Sequence, residues 1–330
     1  MKFIHKKRHK NGTREIFVLG IKVFKYKKKI YRPYIPSLSH IAEECLPAYL
    51  AKRFYERTGK LPTEKLVTLQ EKVIWASMFD ATPLKIQCTD KLAVREYVTK
   101  TIGEKYLPKL YAVYKNSDEF DIDVLPQSFV LTHNAGANAD FKKLIFNKNE
   151  INIPEIKTII RKWMLYNHSE PMCEMQYRYI PTCVIARELL DIRPDVEYKC
   201  WCFNGRVEFI AQNSYVKGHN SVGFSVYSKT GKNLNFYQVL PGSYYNRGTT
   251  INQKILDEMV SVAEKLAAPF NFVRVDFYET RDGKLMFGEL TFSPSAGNLE
   301  FEPNNDEIQT KYGDMFIMPP RDKNGFAIHE

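Results

Sequence analysis

Two carboxylates that face each other are the feature of this chain with the plainest chemistry. The stretch from Asn271 to Thr291 alternates apolar residues on both sides of Asp282-Gly283. That pair suits the positive φ angles of a two-residue type I′ turn. With Asp282-Gly283 as the loop, Arg281 faces Lys284 and the pairing continues outward rung by rung. Asp276 then lies opposite Glu289, and Arg274 opposite Thr291. Side chains two apart share a face of a strand. One face therefore carries Arg274, Asp276, Glu289 and Thr291, and the other carries Val273, Val275, Phe277, Met286, Leu290 and Phe292 as a core face. Like charges directly opposite destabilise a sheet, so something must offset the pair. One candidate is a hard divalent cation such as Mg²⁺, which takes carboxylate oxygens together with substrate phosphates. The other is a solvated face on which Arg274 bridges the two acids.

The elements that must position this face follow from periodicity. Helices are expected over residues 39–58 and 63–80, the second with Leu66, Leu69, Val73, Ile74 and Phe79 at helical spacing. Asp90 is the expected N-cap of a helix over Lys91 to Ile102 that ends at Gly103. Strands are expected at Leu110 to Tyr114, Gln127 to Thr132, Leu144 to Phe146 and Thr182 to Leu190, with a small-residue turn at His133 to Asn138. Helices are expected over Pro154 to Asn167 and residues 251–268. Glu197 to Ile210 reads as a hairpin about Asn204-Gly205. Residues 214–250, rich in Gly, Ser, Asn and Tyr, read as a mobile cover with a strand at Phe224 to Tyr227.

The totals narrow the class. Of 330 residues, 44% are hydrophobic and 26% charged, a soluble globular balance. No apolar run approaches the roughly 20 residues of a membrane span, and the start of the chain lacks the apolar core of a secretory signal. Six cysteines form no dense disulfide pattern. Cys200 and Cys202 lie without zinc-like partners, so free thiols in a reducing cytoplasm are expected. The net charge is +10. Much of it sits before Pro33, in a basic strand pair that ends at Pro33 and Pro36. Such a segment favours an acidic partner, either an anionic membrane surface at the inner face or an acidic glycan, the alternative being a simple solvated basic arm. No nucleic-acid module signature is present, and no nucleic-acid partner is expected.

The motifs, taken together, carry a resemblance. Arg274-x-Asp276 followed by Glu289-x-Thr291-x-x-Pro294-x-x-Gly297 resembles the metal-binding end of the ATP-grasp fold, with Thr291 where the family usually has Asn. Phe287 to Gly297 is closer still to its TupA-like branch, the proteins of teichuronopeptide synthesis. Asp90-Lys91, the strand and loop to Asn138, Arg187-Glu188-Leu189-Leu190 and Glu197-Tyr-Lys199 then follow in family order, over roughly residues 85–320. The resemblance implies an α+β ATP-grasp fold, with a nucleotide cleft between two α+β subdomains of antiparallel sheets. A basic β segment (1–36) and a helical subdomain (37–110) would precede a central subdomain (111–190) and a C-terminal one (191–330).

It also implies ATP and Mg²⁺ as cofactors. Asp276, Glu289 and Thr291 would lie at the metal and Arg274 on acyl-phosphate oxygens. Lys91, Arg95 and Lys199 would hold ATP, and Ala186, Glu188 and Leu189 would lie along the hinge that pairs with adenine. Thr132, His133 and Gly136 fall in the loop that covers the phosphates. Here the chain departs from the family, because Thr132 replaces a strand-end Lys and Gly136 is the loop's one glycine. His133, Lys142 or Lys143 could supply the missing cation. The implied reaction joins an amino acid or other amine to a uronic-acid carboxylate in a glycan or sugar nucleotide. Two other readings use the same site: a non-catalytic nucleotide or glycan binder, and a sugar kinase or glycosyltransferase.

Overall fold

The computed structural model describes residues 4–8, 13–18, 21–27, 41–137, 139–215, 222–240, 244–245 and 250–329. The chain forms two compact units, residues 1–37 and 38–330. In the first, β1 (Ile4–Arg8), β2 (Thr13–Val18) and β3 (Ile21–Lys27) form an antiparallel sheet of three strands where two were expected.

The second unit begins with helices α1 (Leu46–Thr58), α2 (Leu69–Phe79), α3 (Pro83–Thr89) and α4 (Val94–Ile102). The expected helix over 63–80 starts only at Leu69, where Thr68 and Glu71 close a capping box. Helix α3, capped by Thr82 with Pro83 in its first turn, was not foreseen. Asp90 is not the cap of α4, whose N-cap is Ala93. Its Oδ1 accepts hydrogen bonds from the Leu92 amide (2.8 Å) and the Asn134 side chain (2.9 Å) instead.

A smaller antiparallel sheet follows, made of β4 (Leu110–Tyr114), β5 (Phe129–His133), β6 (Lys142–Ile145) and, after α5 (Ile153–Met164) and the single turn α6 (Ser169–Met172), β7 (Val184–Arg187). Its spatial order is β4-β7-β5-β6. Two-residue alternation splits it. Phe129, Leu131, Ile145, Val184 and Ala186 pack with Ile156, Ile160 and Trp163 of α5. Val130, Thr132, Lys142, Leu144, Ile185 and Arg187 turn to the other side and line a cleft.

The larger sheet has the order β12-β10-β9-β8-β13-β14. Its first strands are β8 (Ile192–Phe203), β9 (Arg206–Tyr215), β10 (Val222–Tyr227) and β12 (Tyr244–Tyr245), while the short β11 (Tyr237–Gln238) belongs to a separate two-stranded ladder. After α7 (Gln253–Ala267) come β13 (Phe272–Thr280) and β14 (Leu285–Thr291), then β15 (Phe301–Glu302) and α8 (Asn305–Met315). Asn204 and Gly205, at φ 48° and 77°, make the expected turn between β8 and β9. Helices α7 and α4 bury one face of the sheet through Met259, Leu266, Val98, Val273, Val275 and Phe277. On the other face, Trp201, Phe209 and Phe272 pack with residues of α1, α2 and α8. The remainder of that face is open to the cleft. The expected cover over 214–250 is described only in part, and residues 216–221, 241–243 and 246–249 lie outside the described residues.

Candidate active site

The hairpin β13–β14 reaches the expected outer register by a different route. Thr280 and Lys284 close a three-residue loop, with Gly283 at φ 78°, where a two-residue loop was expected. The inner pairs are therefore Glu279–Leu285, Tyr278–Met286 and Phe277–Phe287. A bulge at Gly288 adds one residue to β14 and restores Asp276 opposite Glu289 and Arg274 opposite Thr291. An added Cβ at Gly288 would stand 2.9 Å from the Asp276 carbonyl oxygen, so the bulge needs glycine. The bulge also changes which residues face the core. Leu285 and Phe287 join that core face, and Met286, assigned to it from the sequence, does not.

Strand β8 lies on the far side of β13. One rung reads Lys199–Asp276–Glu289 across three strands, and the next reads Trp201–Arg274–Thr291. The Arg274 guanidinium donates to both Asp276 oxygens (2.7 and 2.6 Å) and to the Thr291 hydroxyl (3.2 Å), and lies 3.6 Å from Glu289. Lys199 pairs with Asp276 and Glu197, each at 3.0 Å. Lys91 donates to the Gly136 carbonyl (2.6 Å) and stands 3.9 Å from Glu289. Three cations thus meet three carboxylates, which removes the repulsion expected of the facing pair.

The electrostatics follow from this packing. Burial works against the Lys199 ammonium, but Asp276 and Glu197 hold it above its ordinary range. Burial raises the Asp276 carboxyl, against the pull of Arg274 and Lys199. Burial opposes the Glu289 carboxylate as well, yet Lys91, Arg274 and Lys199 bring it below its usual value. Glu289 is the open member of the pair, with 40% of its side chain exposed against 2% for Asp276. Among the described residues, no three or more His, Cys, Asp or Glu side chains gather as a metal cage. A divalent ion suits this donor set only with further oxygens from a ligand and water, the habit of Mg²⁺ at phosphates.

The cleft between the two sheets has a volume of about 750 Å³. Lys91, Arg95, Thr132, Gly136, Leu189, Lys199, Arg274 and Glu289 line it, as do Lys142, Arg187, Glu197 and Tyr278. Arg95 is held by the Pro108 carbonyl (2.9 Å). Gly136 fits where no side chain would, because an added Cβ would lie 2.2 Å from the Phe141 side chain.

Two expectations about side-chain cations, His133 and Lys143, are corrected here by strand alternation. His133 follows Thr132 and so turns away from the cleft. Its ring is fully buried beside Phe141 (5.6 Å), neither nitrogen has a hydrogen-bond partner among the described residues, and burial drops its pKa to about 4. It is neutral and supplies no cation. Ala186 and Glu188, expected on a hinge that works through main-chain groups, flank Arg187 with side chains that do not line the cleft. Ala186 packs toward α5, and Glu188 exchanges two bonds with Lys109 (2.8 and 3.0 Å). Lys143 also points away, to Glu155 at 2.8 Å. Arg187 and Glu197 were missed as cleft residues. Counting back by two from Lys199 would have found Glu197, whereas Arg187 shares the face of Thr132 only through the pairing of Thr132 with Ile185, which the sequence does not give.

A model of the TupA-like ATP-grasp family matches residues 71–317. No curated protein matches the chain. Among solved structures it is similar to the ADP complex of the N5-carboxyaminoimidazole ribonucleotide synthetase purK. That match has 13% identity and a TM-score of 0.40, over 77% of this chain and 52% of that one. It is also similar to D-alanyl-alanine synthetase A from Vibrio cholerae O1 biovar eltor str. N16961 (10%, 0.39, 62% and 56%). A third match is the ATP-grasp ligase PsnB with a precursor variant, Mg and ADP (11%, 0.37, 71% and 59%). The chain spans between about half and three fifths of the length of these proteins.

Proposed function

The chain belongs to the TupA-like ATP-grasp family, and on that premise we propose that it is an ATP-dependent carboxylate–amine ligase. A carboxylate takes the γ-phosphoryl group of ATP to give an acyl-phosphate and ADP. The amine nitrogen then attacks the acyl carbon, phosphate leaves, and the amide nitrogen loses a proton. The observation that carries this reading is the rung Lys199–Asp276–Glu289 with Arg274 beside it, set on one wall of a cleft that has cations on both walls.

Each residue has a role suited to its place. Glu289, with Asp276 behind it, would hold Mg²⁺, and Thr291 keeps Glu289 aimed through its 2.9 Å hydrogen bond. The ion supplies neutralising charge on the phosphates. Arg274, held rigid by Asp276, presents its charge where negative charge develops on the transferring group. Lys91 and Lys199 bind nucleotide oxygens, and Lys91 also ties the turn at Gly136 to the site. Leu189 and Leu190 border the cleft where an adenine ring would lie.

The substrate class we propose is a uronic-acid carboxylate in a bacterial surface polysaccharide or its sugar-nucleotide precursor, with an amino acid or other amine as acceptor. The net charge of +10 supports an anionic glycan. The basic residues before Pro33 support a peripheral place at an anionic membrane. Deleting residues 1–32 should weaken binding to anionic vesicles at low salt, and unchanged binding would remove the membrane from the proposal. Among the described residues no helix is long and apolar enough to cross a membrane. The decisive test of the activity is phosphate release with MgATP across a matrix of amines and uronic-acid sugars. Release that needs both partners supports a ligase, and release with a sugar hydroxyl alone points to a kinase.

A further inference from the structure

The face of the larger sheet that carries the ion pairs runs on beyond them. The rung next to Lys199–Asp276–Glu289 sets Tyr278, Glu197, Asn213, Phe224 and Tyr245 in one row across β13, β8, β9, β10 and β12. Residues paired across strands share a face, and the Asn213 amide donates to Glu197 (3.1 Å) on that face. Its other amide atom is left over. Asn213 is 4% exposed, and its Oδ1 has no hydrogen-bond partner among the described residues. A buried acceptor left open marks a place that a ligand donor completes. At the far end of the row the side chains turn aromatic and exposed. Tyr245 is 38% exposed, and its ring lies 5.9 Å from that of Tyr237, tilted by 49°. Strand β11, which carries Tyr237, lies over the same face, since Phe236 packs on Phe209 (5.5 Å). The two tyrosine hydroxyls are tied back, Tyr237 to Glu302 and Tyr245 to Asn233 (3.4 Å), so the rings are held by their polar ends.

We infer that the outer part of this face, from Asn213 to Tyr245 and Tyr237, is a binding track for an oligosaccharide acceptor. The tyrosine rings take the apolar C–H faces of sugar rings, and Asn213 Oδ1 accepts a bond from a sugar hydroxyl. This rests on the ligase reading and adds that the acceptor carboxylate belongs to a chain of sugars. An aromatic ring with an apolar face and a polar tip suits a ligand that is apolar on its ring face and polar round its rim. Rings set at 49° make an open V that does not sandwich a planar base, whereas puckered sugar rings can rest on each in turn. A simple anion finds no cation there, because the row past Glu197 is uncharged and Glu302 behind Tyr237 is acidic. Length points the same way. Strands lie about 4.8 Å apart, so Tyr245 stands three spacings, roughly 14 Å, from β8 and five spacings, roughly 24 Å, from β14 with Glu289. One sugar ring does not span that distance.

The test is calorimetric binding to the full chain, at about 150 mM salt so that bare charge attraction is screened, with melting curves to confirm that each variant folds. The probes are glucuronic acid, galacturonic acid, the hexasaccharides of hyaluronan and of polygalacturonate, a polyglutamate of matching charge, and MgATP. At least one hexasaccharide should bind tenfold or more tighter than its monosaccharide. Tyr245→Ala and Tyr237→Ala should each weaken that hexasaccharide fivefold or more and leave the monosaccharide and MgATP within twofold. Asn213→Ala should weaken the hexasaccharide severalfold. Tyr245→Phe should bind it as wild type does, because the ring makes the contact and the hydroxyl does not. Should Tyr237→Ala fail to fold, Tyr237→Leu replaces it with the same expectation. Hexasaccharides that bind no tighter than monosaccharides, binding that both tyrosine variants leave unchanged, or polyglutamate bound equally well overturns the track and leaves the ligase reading standing. A wild type that binds neither ATP nor ADP overturns the ligase reading itself, whatever the sugars do.

Discussion

At the scale of single residues, the site divides its carboxylates by access. Asp276 is buried under a guanidinium fork and Glu289 is open, so their variants should differ in kind. Glu289→Gln should lose the Mg²⁺ dependence of nucleotide binding with little change in melting temperature. Asp276→Asn leaves Arg274 and Lys199 without their shared charge and should also destabilise, by about 2–3 kcal/mol. Arg274→Ala should lower kcat by roughly 100- to 1,000-fold with a small change in the KM for ATP, since its charge matters most in the transition state. A change confined to KM would remove Arg274 from the chemical step. His133 gives a separate, pH-dependent outcome. Burial first, then Lys91 and His168, lower its pKa from 6.5 to about 4. Above pH 6.5 neither folded nor unfolded chain protonates it. Between about 6.5 and 4 the unfolded chain takes up a proton that the folded chain refuses, so stability falls across that window by up to roughly 3 kcal/mol. Urea unfolding at a series of pH values should show this slope, and His133→Phe should flatten it.

At the scale of elements, the strand that carries Glu289 is anchored beyond its end. Ser293 donates to Glu174 and accepts from Gln176 (3.0 Å), and Glu174 also binds His168 (2.9 Å). All four side chains are buried. Glu174→Ala should therefore cost about 3 kcal/mol, because it leaves His168 and Ser293 without their partner, whereas Glu174→Gln should cost less. Chemical unfolding measures both. The same elements show what can be read from a sequence. That Arg274 and Asp276 share a face was legible because alternation along a strand is a local property, but Asp276 faces Glu289 as expected only because the extra loop residue and the bulge at Gly288 offset each other. The loop and the bulge were each hidden, since the Asp282-Gly283 signal fits both a two-residue and a three-residue loop, and Gly288 looks like any strand glycine. Helix α3 escaped because seven residues give too little periodicity. Asp90 resembled a cap because caps and loop staples use the same residue types, and only the fold brings Asn134 to it. Lys142 as partner of Thr132 required the length of the loop between them, which periodicity does not fix.

At the scale of the molecule, charge is distributed unevenly across the cleft. On the larger sheet, cations and carboxylates offset one another, with Lys91 closing the set. On the smaller sheet, Lys142 and Arg187 face the cleft without a counter-ion among the described residues. The ligand-free protein is thus held together against its own field, and whatever screens that field should tighten it. Raising salt from about 20 to 200 mM should raise the melting temperature of the free protein by a few degrees, since screening at that range shortens the reach of surface charge to about 10 Å or less. Tripolyphosphate should do the same at far lower concentration, and Lys142→Ala should blunt both effects. A free protein whose melting point falls with salt would refute this. If it holds, the nucleotide is more than a reactant. On the proposed reading it would also supply the counter-charge that this wall of the cleft lacks, and the level of ATP in its surroundings would then shift how much of the protein stays folded.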